Sequence, residues 1–522
     1  MGGLRRLASV TSRALERRAG ACYRRLPTTS STPPSTSGST ELSMSLPRRA
    51  KIVCTLGPSS ESQESIETLI RTGLDVARLN FSHGDHDFHR SLVNRVRAAS
   101  GAVGKPVAIL QDLQGPKIRC LRMEGGAIEL KEGATTTITI DDVLGTAERF
   151  GTLYKLLPRD VRPGEQVLLD DGNMTLEVID KDDRDVRCRV IHGGILKDKK
   201  GINLPQSDVS ASSLSEKDIR DAHFGAEVGV DAVALSFVRT RNDVRTLRRE
   251  LAHAKSRPLV IAKLEKPQAI DQLEGILEES DGVMVARGDL GVEMPTEKVP
   301  TLQKMIVEEA NRRGKIVIVA TQMLESMITN PRPTRAEASD VANAVLDGAD
   351  AVMLSAETAS GRHPARVVEI MSKIVAEAES STRARYNRLD FLLAAEAQDF
   401  QNAVAQAAVR ASHELGASAI VCYSTSGNTA RLVSDYRPRA PVLALVPSPV
   451  EQRRLAFAWG VTAEVIEPPR HTDELFARID DLLMKTGRAN DGDTILVVTK
   501  QPLASTQRSN TMHLHVVGSG LR

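Results

Sequence analysis

Short apolar runs, each followed by a loop and an amphipathic segment, recur along the chain and constrain its fold more than any other feature. The runs are Lys51–Cys54, Asp75–Leu79, Pro106–Leu110, Ala232–Leu235, Leu259–Ala262, Gly282–Val285, Ile316–Val319 and Ala351–Leu354. Segments between them, such as Ser60–Arg71 and Thr301–Arg313, carry helical periodicity. Runs this short and uniformly apolar are typical of strands buried on both faces, and they indicate a parallel sheet. Eight of them predict a closed (β/α)8 TIM barrel; an open doubly wound sheet is the alternative.

One connection in this pattern is too long for a β/α unit. Roughly 120 residues separate the third and fourth runs, where a few tens suffice. Residues of alternating polarity mark strand candidates there, at Ala127–Leu130, Thr135–Ile140, Gln166–Leu169, Thr175–Ile179 and Val186–Ile191. We therefore predict a small β-barrel lid domain, residues 118–210, inserted into a catalytic barrel of residues 47–117 and 211–385.

The two ends of the chain differ from the barrel. Residues 386–522 carry the helix candidate Ala403–Leu415 and strand candidates such as Ala419–Tyr423, which predict a C-terminal α/β regulatory domain. Residues 1–46 are rich in Arg, Ser, Thr and Pro and predict a disordered extension. It is either a mitochondrial or plastid targeting peptide or the product of a mis-assigned start codon ahead of Met44. We favour the second explanation, which predicts a cytoplasmic protein.

Composition excludes several classes of function. Lys+Arg (69) nearly equals Asp+Glu (67), and aromatic residues make up 3%, so we expect no nucleic-acid partner. No apolar stretch approaches the roughly 20 residues of a membrane span. The 5 cysteines form no metal-ligand spacing, which predicts free thiols.

Polar residues follow most of the runs, where a β/α barrel builds its active site. The segments concerned are Arg78–Gly84, Gln111–Arg119, Lys263–Glu265, Arg287–Gly291, Thr321–Gln322 and Ser355–Thr358. Brought together at one mouth, their carboxylates, lysine, arginines and hydroxyls suit a divalent metal and a phosphorylated substrate.

Lys263, Glu265 and Asp289 form the centre of this predicted site. Lys263 and Glu265 are two apart on a strand, so their side chains point the same way. Glu265 and Asp289 make a hard oxygen site suited to Mg²⁺, and the lysine can meet charge on a transferring phosphoryl group. A strand-end ion pair is the alternative, but Gly288 favours function because it lets backbone N–H groups approach an anion. The sequence has no P-loop motif.

Four long segments resemble pyruvate kinase: Ala77–Gly84, Val285–Glu293, Ala320–Met327 and Arg332–Glu337. The likeness extends from about residue 50 to the C-terminus. It implies a barrel, a β lid and a C-terminal domain. It also implies a homotetramer that transfers phosphate from phosphoenolpyruvate to ADP, giving pyruvate and ATP in the final step of glycolysis.

The resemblance assigns roles to matching residues. Glu265 and Asp289 would hold Mg²⁺ or Mn²⁺, and Lys263 would stabilise the phosphoryl group and the enolate. Arg78 would grip the substrate phosphate, and Gly288, Asp289 and Thr321 would seat the carboxylate. Thr321 and Ser355 would lie near the proton donor. The positions that match nucleotide contacts are Asn80, Phe81, Ser82, His83, Arg119 and Lys200; for Lys200 a solvated charge run is the alternative.

Two departures from the family pattern lead to further predictions. The positions that match K⁺ ligands are Asn80, Ser82, Asp112 and Leu113, but Lys117 stands where K⁺-binding members have Glu. Because its ammonium would lie close to this site, we predict activity that does not need K⁺.

The second departure concerns regulation. The hydroxyl-rich loop Ser424, Thr425, Ser426, Gly427, Asn428 and Thr429 matches the family's cradle for a sugar-phosphate effector. A plain strand-to-helix turn is the alternative. The matching C-terminal stretch, Ala504–Thr511, lacks glycine, so we predict activation by a sugar monophosphate and not by fructose 1,6-bisphosphate.

Two other functions compete with this assignment. Metal-dependent aldolases and phosphomutases share the Glu and Asp but lack the lid and the C-terminal domain. A catalytically dead sugar-phosphate sensor would not keep every expected catalytic position.

Overall fold

The computed structural model describes residues 48–207, 209–210, 212–254, 256–381, 400–503 and 509–519. The predicted extension, residues 1–46, lies outside them, so its two explanations stay open. The predicted boundary at residues 385–386 and residues 504–508 of the C-terminal stretch also lie outside them.

The described chain contains three groups of strands: those of a barrel, those of an insertion within the barrel, and those of a C-terminal sheet. In chain order the strands are β1 (Lys51–Thr55), β2 (Val76–Asn80), β3 (Ala108–Asp112), β4 (Ala127–Leu130), β5 (Thr135–Thr139), β6 (Arg149–Gly151), β7 (Gln166–Leu169), β8 (Met174–Lys181), β9 (Asp185–His192), β10 (Gly194–Lys197), β11 (Ile202–Asn203), β12 (Ala232–Leu235), β13 (Leu259–Leu264), β14 (Gly282–Ala286), β15 (Ile316–Ala320), β16 (Ala351–Leu354), β17 (Ala419–Tyr423), β18 (Val442–Val446), β19 (Val461–Val465), β20 (Thr494–Thr499) and β21 (Thr511–Val516).

Helices alternate with the strands of the barrel and of the C-terminal sheet, and one short helix lies in the insertion. They are α1 (Gln63–Thr72), α2 (His86–Val103), α3 (Leu157–Asp160), α4 (Glu216–Val228), α5 (Arg241–Glu250), α6 (Pro267–Asp271), α7 (Leu273–Glu279), α8 (Arg287–Glu293), α9 (Val299–Arg312), α10 (Arg335–Asp347), α11 (Ala356–Ala359), α12 (Pro364–Ser380), α13 (Phe400–Leu415), α14 (Asn428–Asp435), α15 (Pro449–Arg454) and α16 (Thr472–Lys485). Short 3-10 turns occupy Glu124–Gly126, Thr296–Lys298, Glu325–Ile328 and Leu455–Phe457.

Eight strands close into a barrel in the order β1-β16-β15-β14-β13-β12-β3-β2. Every neighbouring pair is parallel. This confirms the predicted (β/α)8 barrel and excludes the open sheet. The predicted third strand began two residues early, at Pro106, which has no N–H to donate to a ladder.

Alternate residues along each barrel strand pack into two separate cores. On β1, Ile52 and Cys54 join the layer between strands and helices, whereas Val53 joins the barrel interior. This follows from the two-residue period of a strand. It also explains why the runs are uniformly apolar. Phe457, from the C-terminal part of the chain, is 0% exposed and belongs to the interior core.

One hydrogen-bonding motif occurs four times at the bottom of the barrel, where the strands begin. Asp75, Asp231, Asp281 and Asp350 immediately precede the second, fourth, sixth and eighth strands. One carboxylate oxygen of each accepts the backbone N–H of a residue on the preceding strand at 2.8–2.9 Å. The motif therefore adds one side-chain hydrogen bond to each odd–even strand pair.

The insertion between β3 and β12 is built from strands, as predicted. β11-β7-β8-β9-β5-β6 form one sheet and β10-β4 another, and isolated bridges such as Cys120 to Thr152 supplement them. Both sheets contribute to one core, which includes Ile128, Val167 and Val190. We keep residues 118–210 as the proposed lid domain.

The C-terminal part forms a five-stranded sheet in the order β19-β18-β17-β20-β21, parallel except for β21. Ile420 and Cys422 of β17 pack on one face of the sheet and Val421 and Tyr423 on the other. Helices cover both faces of such a sheet, which confirms the predicted α/β class. No helix within the described ranges is both long and apolar enough to cross a membrane.

Candidate active site

The ammonium of Lys263 lies among buried groups at the mouth of the barrel. Its Nζ is 2.8 Å from Glu265 Oε1 and 3.2 Å from Asp112 Oδ1. It also donates a hydrogen bond to Ser236 Oγ at 2.8 Å. Asp112 and Glu265 are each 1% exposed. The predicted side-by-side placement of Lys263 and Glu265 is therefore present.

Neighbouring charges decide the ionisation of this cluster. Burial alone would lower the pKa of Lys263, but Asp112, Glu265 and Asp289 raise it above its ordinary value. Burial would raise the pKa of Asp112, yet Lys263 and Arg78 hold it below its usual range. Burial raises the pKa of Glu265; Lys263 opposes the rise and Asp289 adds to it. Glu265 and Asp289 thus repel each other, and a cation would relieve that repulsion.

Arg78 on β2 is held by residues of both neighbouring strands, β3 and β1. Its Nε and Nη2 each lie 2.7 Å from Asp112 Oδ2. Its Nη1 donates to Thr55 Oγ1 at 2.8 Å, and that hydroxyl donates to the carbonyl of Leu354 at 2.8 Å. The Arg78 side chain is 12% exposed. A guanidinium held in this way is preorganised to bind a phosphate.

Asp289 and Gly288 lie in the first turn of α8, directly after β14. The Gly288 N–H donates to Thr321 Oγ1 at 2.7 Å, and that hydroxyl donates to the carbonyl of Ala320 at 2.6 Å. A Cβ on Gly288 would come within 3.3 Å of Thr321 Oγ1. A side chain at Gly288 would therefore require Thr321 to shift by a few tenths of an ångström.

Left-handed backbone conformations are found in three non-glycine residues at the mouth. They are Phe237 (φ 53°), Thr321 (φ 69°) and Gln322 (φ 54°). Each such residue costs on the order of 1–3 kcal/mol and is typical of functional sites. Arg287 holds Thr321 in place, because its Nη2 donates to the Thr321 carbonyl at 2.8 Å while its Nη1 pairs with Asp340 at 2.6 Å.

Ser355 is held by a buried carboxylate that the sequence did not single out. Its N–H donates to Glu357 Oε2 at 2.6 Å, and the N–H of Leu324 donates to the other oxygen at 3.2 Å. Glu357 is 2% exposed, and burial raises its pKa. It joins the end of β16 to the loop that carries Thr321.

The four predicted nucleotide contacts at the end of β2 differ in exposure. Ser82 and His83 are exposed, and Asn80 is half-buried. Phe81 is 2% exposed and stacks on His89, with 3.8 Å between ring centroids. The Phe81 side chain is part of the core, so only its backbone is left to meet a nucleotide.

The other two predicted nucleotide contacts, Arg119 and Lys200, come from the insertion. Arg119 Nη1 donates to the carbonyl of Lys199 at 3.0 Å. Lys200 Nζ pairs with Asp170 at 2.6 Å and its side chain is 38% exposed. Lys200 is therefore ion-paired and still accessible, and its contact with a nucleotide stays a prediction.

Two of the predicted K⁺ ligands, Asn80 and Asp112, are directly opposite each other in the β2–β3 pairing. The Leu113 carbonyl accepts the Ser236 hydroxyl at 2.6 Å. Lys117 is exposed and extends toward the insertion: its Cε is 3.5 Å from the point that a Cβ on Gly201 would occupy. The negative charge of Asp112 is met by Arg78 and Lys263, both within the same mouth.

The insertion contacts the barrel through Glu293 of α8. Asn203 Nδ2 donates to Glu293 Oε1 at 2.7 Å, and Lys266 Nζ is 2.5 Å from the same oxygen. Glu293 is 5% exposed. A cleft lies beside this contact, and its lining includes Asn203, Lys117 and Asp289. The insertion thus borders the barrel mouth beside Asp289.

The predicted effector loop joins β17 to α14. Thr425 and Ser426 are exposed, and the buried Thr429 Oγ1 shares a hydrogen bond with Ser509 Oγ. Gly427 has φ 75°, and a Cβ there would come within 3.1 Å of the Leu455 side chain. This geometry is that of a strand-to-helix turn. Two exposed hydroxyls are available to a ligand, and binding of an effector stays a prediction.

Ser236 and Phe237, at the end of β12, were not among the predicted site residues. Ser236 contacts Lys263, and the Phe237 N–H donates to Glu265 Oε2 at 2.6 Å. The sequence does carry a signal for Ser236, because it is the first polar residue after the fourth apolar run.

Comparisons with known proteins assign the barrel with its insertion, and also the C-terminal domain, to one family. Residues 47–368 match the family model described as pyruvate kinase, barrel domain. Residues 402–515 match the one described as pyruvate kinase, alpha/beta domain.

Individual relatives agree with the family models. Over 475 residues the chain is 46% identical to a pyruvate kinase of Corynebacterium glutamicum, covering 91% of this chain and 99% of the relative. It is 44% identical over 471 residues to a pyruvate kinase of Mycobacterium tuberculosis, covering 90% and 99%. The fold resembles the crystal structure of a pyruvate kinase from Cryptosporidium parvum, with a TM-score of 0.86 and 37% identity, covering 90% of this chain and 96% of that one.

Proposed function

This chain belongs to the pyruvate kinase family and transfers the phosphoryl group of phosphoenolpyruvate to ADP, and we propose that Lys263, Glu265 and Asp289 carry the reaction. The observation that supports this centre is the buried ammonium of Lys263, 2.8 Å from Glu265 Oε1 at the barrel mouth. A charge kept in a buried site interacts with a phosphoryl group more strongly than it would in water.

We assign Glu265 and Asp289 as the protein ligands of a divalent cation, Mg²⁺ or Mn²⁺. Two mutually repelling carboxylates that follow neighbouring strands fit Mg²⁺, which binds one or two carboxylates and completes its shell with water and substrate phosphate. Within the described ranges, no group of three or more His, Cys, Asp or Glu side chains is arranged to hold a metal. The bound cation would neutralise charge on the transferring phosphoryl group.

The remaining residues of the mouth hold the substrate. Arg78 binds the phosphate of phosphoenolpyruvate, and Gly288 and Thr321 seat its carboxylate. An oxygen of the ADP β-phosphate attacks phosphorus, and the bond between phosphorus and the enolate oxygen breaks. Lys263 stabilises the enolate until its C3 takes a proton near Thr321 and Ser355, which gives pyruvate.

The insertion supplies the nucleotide side of the site. Arg119 and Lys200 bind ADP phosphates from above the mouth, and the segment Asn80–His83 contacts the nucleotide from the end of β2. Lys117 makes the reaction independent of K⁺. Ser424–Thr429 binds a sugar monophosphate as activator, and the enzyme is a cytoplasmic homotetramer.

Two competing functions are disfavoured. Aldolases and phosphomutases would not account for a match that extends over both the barrel and the C-terminal domain. A dead sensor would not need the ion pairs of Lys263 to be kept intact.

A coupled assay that follows pyruvate tests the assignment. Wild-type chain with phosphoenolpyruvate, ADP and Mg²⁺ should form pyruvate, and Lys263→Met should lower kcat by about 10²–10³, the usual effect of removing one charge-stabilising donor. Lys315→Met is the matched control, because Lys315 Nζ donates to the carbonyl of Ser280 at the opposite end of the barrel. Equal activity in all three proteins would refute the proposed centre.

A further inference from the structure

Ser236 is placed between the catalytic lysine and a fixed acceptor. It follows the last residue of β12 and is 1% exposed. Its hydroxyl donates to the Leu113 carbonyl at 2.6 Å, and its oxygen accepts from Lys263 Nζ at 2.8 Å. Because a carbonyl can only accept, the hydrogen of Ser236 is committed to Leu113, and an oxygen lone pair faces the ammonium.

The next residue holds the neighbouring carboxylate. The N–H of Phe237 donates to Glu265 Oε2 at 2.6 Å from a backbone with φ 53°. Gly115 makes room for this turn: a Cβ there would lie 2.9 Å from Ser236 Cβ and 2.7 Å from Phe237 Cδ2. The end of β12 therefore forms hydrogen bonds with both Lys263 on β13 and Glu265 directly after that strand.

We propose that Ser236 is a positioning residue for the reaction: it shares the Lys263 ammonium with Glu265, each 2.8 Å from Nζ, so that the lysine can yield this carboxylate to the cation. This inference rests on the proposed function of Lys263 and Glu265. Two of the three near partners of Lys263 are carboxylates, Asp112 and Glu265, and Ser236 is the neutral one.

Removing the Ser236 hydroxyl should change how Lys263 is shared between Asp112 and Glu265. In Ser236→Ala the ammonium keeps only its carboxylate partners, so it stays paired with Glu265 and competes there with the divalent cation. The N–H that faced Ser236 also loses its acceptor, which strengthens the pull of the carboxylates. Residues that orient metal ligands typically change metal affinity or activity by about 10–100-fold.

The test combines metal binding without substrates and kinetics. Mn²⁺ binding to the substrate-free chain is followed by the electron paramagnetic resonance signal of free Mn²⁺. Ser236→Ala should weaken binding about tenfold or more and lower kcat by about 10–100-fold, with the KM for ADP unchanged. Ser236→Thr, which keeps the hydroxyl, should recover most of both.

Ser280→Ala is the matched control. Ser280 is also 1% exposed and precedes a barrel strand, but its Oγ has no hydrogen-bond partner among the described residues. It should leave Mn²⁺ binding and kcat at wild-type values.

Three outcomes would overturn the inference: wild-type Mn²⁺ binding in Ser236→Ala, an equal loss in Ser280→Ala, or a rise in the KM for ADP that accounts for the whole loss of rate. If the wild-type chain makes no pyruvate, the proposed function fails instead. The Mn²⁺ comparison then still decides whether Ser236 sets the affinity of the carboxylate pair.

Discussion

Arg437 and Asp350 form an ion pair, 2.8 Å between Nη1 and Oδ1, in which each side chain is 4% exposed. Arg437 comes just after α14, the helix that follows the predicted effector loop. Asp350 immediately precedes β16, the strand whose other end leads to Ser355. The pair therefore joins the C-terminal domain to the bottom of a strand that leads to the site.

Breaking this buried pair should destabilise the chain strongly. Arg437→Met leaves the Asp350 carboxylate buried without its guanidinium, which typically costs about 3–5 kcal/mol. The midpoint of urea unfolding should fall accordingly. In Arg410→Met, which breaks an exposed pair with Glu414 (70% and 66% exposed), the change should stay below about 1 kcal/mol. Similar shifts in both variants would contradict the proposed role of burial.

Asp435 should make stability depend on pH. Burial, reinforced by Asp350, raises the pKa of Asp435 from 3.8 to about 7, against the pull of Arg431 and Arg437. The unfolded chain ionises this group above about pH 4 while the native chain keeps it protonated up to about pH 7. Native stability is therefore lost progressively as pH rises through that window. Asp435→Asn should stabilise the chain at pH 8 and do so less at pH 5, in urea titrations. A gain that is the same at both pH values would contradict this.

The contact between Asn203 and Glu293 should control how well the insertion closes over substrate. Asn203→Ala removes the 2.7 Å hydrogen bond and leaves Glu293 paired with Lys266. We expect kcat/KM for ADP to fall several-fold, equivalent to about 1 kcal/mol for one hydrogen bond, with the melting temperature unchanged. The matched control is Asn402→Ala, far along the chain on α13. A loss of melting temperature with unchanged kinetics would show a purely structural contact.

Lys117→Glu should create a requirement for K⁺. The wild-type rate should be the same in K⁺ and in a bulky tetraalkylammonium salt of equal ionic strength. The variant restores the carboxylate that K⁺-binding members of the family carry at this position, and that added charge needs a cation. Strong K⁺ activation of the wild type would contradict the prediction.

The barrel could be predicted because its information is local. A strand such as Ile316–Ala320 is apolar at every position, since alternate residues face different cores. Lys263 and Glu265 were also found locally, because two residues of one strand must share a face.

The partners of Lys263 could not be found in the same way. Asp112 and Ser236 reach it from other strands, and their distances depend on barrel closure and on the register of β3, β12 and β13. The left-handed turn at Phe237 is also invisible in a sequence that carries no glycine there. The bounds of β3 were shifted because hydrogen-bond register, not apolarity, ends a strand.

Phosphorus NMR of a mixture of phosphoenolpyruvate, ADP, Mg²⁺ and enzyme tests the central claim most directly. With the wild-type chain, the phosphoenolpyruvate signal should decrease as the γ-phosphate signal of ATP grows. With Glu265→Gln or Asp289→Asn, whose amide groups no longer supply the charge that holds the cation, both signals should stay nearly constant. The claim would be contradicted by a wild-type chain that leaves phosphoenolpyruvate unchanged, or by variants that transfer the phosphoryl group at the wild-type rate.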